Sequence, residues 1–97
     1  MAQTVSECLT AATDSVTVIN DINSKGLSSK HISASDPSAG VTQADANATV
    51  KRNVDHLTTI LAYDGTGDTP NVKDASDNKS SYTTAITTGN TYISNNS

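Results

Sequence analysis

Asp64, Thr66, Asp68 and Asn71 crowd four oxygen-bearing side chains into one Gly-containing stretch, the densest set of candidate cation ligands in the chain. A calcium loop of the helix-loop-helix kind needs glycine at its sixth position and a bidentate glutamate at its twelfth. Counting from Asp64, those places hold Thr69 and Ala75. The stretch therefore reads as turn chemistry, since Gly, Asp, Pro and Asn all favour non-helical backbone, and no metal or cofactor is expected. A second arrangement would join Cys8 as nucleophile to His56 and Asp55. Cys8, however, falls in an apolar helical stripe, where a thiol behaves as a small hydrophobe. His31 lies in a serine-rich segment with no companion at ligand spacing, and the acidic residues are dispersed. No catalytic residues, no small-molecule substrate and no enzymatic activity are expected.

Ser76-Asp77-Asn78-Lys79 contains two short strings used by penicillin-recognising enzymes, but those enzymes place the strings at separate sites and add a Lys-Thr-Gly element that is missing here. The match is a coincidence of a serine-rich chain. Thr84, Thr87, Thr88 and Thr91 stand at helical 3,4 spacing, yet the row ends after about two turns, too soon for an extended hydroxyl array. A net charge of −4 with only six Lys and Arg argues against nucleic acid, because phosphate contacts need clustered cations. No Phe or Trp is present to stack on bases. No apolar run approaches the roughly 20 residues a membrane span requires, and Met1 to Thr4 lead into no basic-then-apolar export signal. With a single cysteine, the chain has no internal disulfide.

The elements that would position these residues are three helices in a single domain, residues 1–97. The first is predicted over 5–25. Thr4 and Glu7 have capping-box spacing, while Lys25 and Gly26 suit the C-terminal end, with a left-handed glycine cap and Leu27 folded back on the last turn. Val5, Cys8, Leu9, Ala12, Val16 and Ile19 form its apolar stripe, and Ala11, Val18 and Ile22 widen it to one side. A long Ser-rich connection follows around Asp36-Pro37. Its length, against the two to eight residues common in bundles, means that it either carries a contact surface or is partly mobile.

The second helix is predicted over 43–63, capped by Thr42 and stopped by Asp64-Gly65. Its apolar face holds Ala46, Val50, Val54, Leu57, Ile60 and Leu61, opposite Lys51, Arg52 and Asp55. The third is predicted over 75–93, with Asp74 as cap and Asp77 in the first turn. Five Thr between 83 and 91 favour strand, and Gly89-Asn90 could close a hairpin. Strand alternation, however, would split Ala85 from Ile86 and Tyr92 from Ile93, so helix is the better reading. The tail from Ser94 is expected to fray. The fold class is thus all-α, a small up-down-up three-helix bundle that another subunit can complete.

Val, Ile and Leu total 17 residues, against 37 Ser, Thr and Asn. So thin a core commonly gains burial from partners. The expected protein interface is the flank of the first helix, Ala11, Val18 and Ile22, with Ile32 from the long loop. The competing reading has the loop fold over that flank with Ile32 as its plug.

The Ser/Thr/Asn-rich helices, the scarcity of aromatics and the stretch Ala48-Thr49-Val50-Lys51-Arg52-Asn53-Val54-Asp55-His56-Leu57 resemble small virion-associated structural proteins of tailed bacteriophages. The resemblance is one of style along the whole chain and transfers no functional residue. It implies a structural or assembly subunit of the virion, a capsid decoration or cement protein or a head-tail accessory, assembled in the host cytoplasm with capsid proteins or copies of itself. A small cytoplasmic protein-binding or regulatory module is the alternative.

Overall fold

Thr4 and Glu7 close the capping box that starts α1 (Val5–Lys25): the Glu7 amide donates to the Thr4 hydroxyl at 3.1 Å and the Thr4 amide to the Glu7 carboxylate at 2.9 Å. Two amides that the first helical turn leaves without carbonyl partners are thereby satisfied. The same device opens α2 (Gln43–Leu61), where Thr42 caps and Asp45 answers from the third helical position. The third helix, α3, runs Ser80–Asn95. The structure, a computed structural model, describes residues 3–77 and 80–97. Three helices packed on one another, with no strand among the described residues, make the all-α bundle expected from periodicity.

Contacts between helices fix their direction. Ser15 of α1 meets His56 near the end of α2, and Gln43 at the start of α2 meets Tyr92 near the end of α3. Thr13 of α1 meets Tyr82 at the start of α3. The helices therefore run up, down and up. On α1 the buried line is Cys8, Ala12, Ser15, Ile19 and Ile22, a 4,3,4,3 spacing that keeps one seam against two neighbours. Val16, expected in that line, is only partly buried, and Ser15 holds the inward position. On α3 the inward residues are Tyr82, Ala85, Gly89 and Tyr92.

Several expectations are corrected. Gly26 has the positive φ foreseen, but at φ 60 and ψ −135 it lies outside the left-handed helical region. The chain turns into a short 3-10 segment, Gly26–Ser28, and Leu27 points outward at 45% exposure instead of folding back. The third helix begins at Ser80, five residues later than expected. Asp74 and Asp77 belong to the preceding turn, and residues 78 and 79 lie outside the described residues. The cause is Val72, fully buried, whose amide donates with that of Lys73 to the Tyr63 carbonyl at 3.1 and 2.9 Å. These bonds draw the segment back on itself and deny 72–75 a helical register. Asn95 remains helical, and the Asn96 side chain bonds the Tyr92 carbonyl at 2.8 Å while the Asn96 backbone carbonyl accepts from Asn47, so the tail is tied down.

Candidate functional site

The long connection carries one large aliphatic outside its ends, Ile32, and burying an isoleucine is worth about 1.5–3 kcal/mol. Ile32 is 8% exposed and joins the core, and Ile22 on α1 is fully buried. The loop thus folds inward with Ile32 as its plug, the competing reading of the sequence. This corrects the expected interface: Ile22 and Ile32 are core residues and present no free surface. Ala11 and Val18, only partly buried at the edge of the core, remain available as a contact surface.

Two aspartates hold the loop in place. Asp21 of α1 accepts the Ser29 hydroxyl at 2.6 Å, pairs with Lys25 at 3.1 Å, and has the His31 ring 3.9 Å away. Asp45 accepts the Ser35 hydroxyl at 2.8 Å and the Ser35 amide at 3.3 Å on one oxygen, and the Thr42 amide at 3.1 Å on the other. A single carboxylate therefore caps α2 and grips the loop. The Ser29 hydroxyl, then Lys25, lower the Asp21 pKa; the Ser35 hydroxyl, then the Thr42 amide, lower that of Asp45. In both cases hydrogen bonds to the charged form favour ionisation.

Most of the groups considered for catalysis and metal binding are buried or hydrogen-bonded within the fold. Cys8 is 1% exposed, and burial, reinforced by the nearby Glu7 charge, raises its thiol pKa. His56 lies on α2 with Nδ1 3.0 Å from the Ser15 hydroxyl, not beside Cys8. In the turn, Asp64 accepts both the amide and the hydroxyl of Thr66 at 3.1 and 2.9 Å, and the Asn71 side-chain oxygen accepts the Asp74 amide at 3.3 Å. Those oxygens bond their own turn. No group of three or more His, Cys, Asp or Glu placed to hold a metal occurs among the described residues. Of the Ser76-Asp77-Asn78-Lys79 string, Asn78 and Lys79 lie outside the described residues.

An open cleft of about 290 Å³ lies beside α1, floored by Leu9 and Tyr82 and edged by Asp14 and Asp77. Its Thr10 and Thr13 hydroxyls donate to the carbonyls one turn back, at 3.0 and 2.9 Å. Thr13 also meets the Tyr82 hydroxyl at 3.2 Å. The Thr10, Thr13 and Tyr82 hydroxyls are thus bonded within the fold, and Asp14 and Asp77 give the open cleft an acidic edge. No helix among the described residues is long and apolar enough to cross a membrane.

Sequence reasoning missed two structural participants: Val72 and the Asp45 grip on Ser35. An isolated aliphatic in a polar linker was the available signal for Val72, as it was for Ile32. Asp45 three residues after Thr42 offered the cap, but nothing local announced its contact with a residue ten positions earlier. Compared with known proteins, the chain matches no protein-family model, no curated protein and no solved structure.

Proposed function

We propose that this chain is a non-enzymatic structural or assembly subunit, a component of a tailed-phage virion such as a capsid decoration or cement protein or a head-tail accessory. The observation that carries the reading is the engagement of its reactive side chains. Cys8 is buried, His56 joins two helices, and Asp21, Asp45 and Asp64 cap a helix or tie down a loop. A chain built in this way offers partners a shape. The serine-, threonine- and asparagine-rich composition supports the phage assignment through the resemblance described above. Virion proteins, or further copies of the chain, are its partners on this reading. A small cytoplasmic protein-binding module is the second reading, favoured by the exposed Leu27.

Quantitative mass spectrometry of particles purified from a lysate of the strain carrying the coding sequence tests the proposal. The expected result is the chain at a fixed copy number per particle, retained through density-gradient purification. Absence from particles, with recovery of a stoichiometric cellular partner from the same lysate, would overturn it in favour of the second reading.

A further inference from the structure

The connection between α1 and α2 is bounded by two positive-φ glycines, Gly26 at 60° and Gly40 at 77°. A Cβ at either would meet nothing within 4 Å, so the need for glycine is one of backbone conformation and not of space. Positions of this kind can absorb the dihedral changes of a hinge. Between them only Ser29 and Ile32 are buried. Three points fasten the middle of this segment to the helices: Ser29 on Asp21, which the His31 ring also approaches at 3.9 Å, Ile32 in the core and Ser35 on Asp45. At its first turn the Ser28 hydroxyl donates to the Lys25 carbonyl at 2.7 Å. The remaining bonds near its end are internal, with Ser38 and the Ala39 and Gly40 amides all closing on Asp36. The helices, by contrast, bury residues along their whole length against one another.

We infer that residues 27–39 form a strap, hinged at Gly26 and Gly40 and fastened by Ser29, Ile32 and Ser35, that opens and closes as one unit while the three helices stay packed. The physical basis is the contrast in anchoring, since segments with few buried apolar contacts open below the global unfolding threshold. Opening lifts Ile32 from the core and uncovers the apolar surface beneath it. The closed strap withholds that surface. Its motion is independent of the virion assignment.

Hydrogen exchange of the intact folded chain at neutral pH, followed by mass spectrometry of its peptides, tests it. The hydrogen-bonded amides of Ser29, His31 and Ser35 are expected to exchange at least about 100-fold faster than those of Cys8–Ile22 and Val50–Ile60, the signature of a sub-global opening. Ser35→Ala weakens one fastening at an exposed position, removing the 2.8 Å hydroxyl bond to Asp45 and leaving the longer amide bond and the α2 cap in place. It should speed exchange at Ser29 and His31, at the far end of the strap, by about tenfold, the scale of losing a hydrogen bond to a charged group. Ser38→Ala, which removes only a bond inside the strap, should leave those two amides unchanged. Circular dichroism of each variant checks that helix content is retained. Exchange of strap and helix amides together, or acceleration by Ser35→Ala only at residues next to position 35, would overturn the strap.

Discussion

At Gly89 the absence of a side chain is what lets α3 approach both of its neighbours. A Cβ there would overlap Val54 Cγ2, press Val50 Cγ1 at 3.1 Å and reach Ile19 Cγ2 at 3.4 Å. Val50 and Val54 are β-branched and stiff at χ1, so neither can swing away cheaply. Gly89→Ala gains about 1 kcal/mol of helix propensity, yet overpacking of this kind costs typically about 1–3 kcal/mol. We expect a net loss of stability in urea titration, while Asn90→Ala, at the exposed neighbour, should be neutral or slightly stabilising. Cys8 permits a different test. A thiol that is buried with a raised pKa is a poor nucleophile, so labelling by a disulfide reagent should proceed at the rate of unfolding and accelerate in urea in step with the loss of helix.

At the scale of elements, each connection is anchored through one buried aliphatic and a few hydrogen bonds, where the helices bury residues along their length. Ile32 anchors the first and Val72 the second. Carboxylates add to this anchoring. Asp21 and Asp45 hold the strap, while Asp36 and Asp64 close their own turns, and all four have pKa values lowered by hydrogen bonds. The stability they contribute is fully present above the unfolded aspartate value of about 3.9. It is lost as pH falls through the lower folded values, because the unfolded chain then binds protons the folded chain refuses. Melting temperature should accordingly be flat between about pH 5 and 8 with respect to these groups and fall below about pH 4. Asp45→Asn should flatten part of that acid limb in melts across the range. The exposed pair of Lys51 with Asp55, 3.3 Å apart, adds little, and breaking it should be nearly silent.

For the molecule as a whole, the proposed role turns on which part of α1 would face a partner. Val18 and Ile22 lie one helical turn apart and read alike in sequence, but Ile22 is fully buried and Val18 only partly so. Ile22→Ser should lower stability by about 3–5 kcal/mol at any protein concentration, through a cavity and a buried hydroxyl. Val18→Ser should cost about 1 kcal/mol or less, the range of substitutions outside the core, and should weaken particle binding or self-association with helix content intact. Denaturant titration at two concentrations, with light scattering and particle binding, separates these outcomes. Assembly unaffected by Val18→Ser in a folded chain would remove Val18 from the interface.

Local chemistry determined much of this protein before any packing was known. The Thr4 and Glu7 box marks where α1 begins, Gly26 marks where it ends, and Thr42 caps α2, because capping involves atoms only a few residues apart. Periodicity likewise placed Ala85 and Tyr92 in a helix despite the threonines beside them. Only the tertiary structure decided which of several apolar residues face inward, and it chose Ser15 over Val16 because Ser15 lies on the seam and meets His56 from α2. It also turned Gly89 from a candidate hairpin residue into the contact point of three helices, drew Val72 and Ile32 out of polar linkers into the core, and delayed α3 until Ser80. Each of these depends on surfaces joined from distant parts of the chain, and burial is a property of the joined surface that no short window of sequence contains.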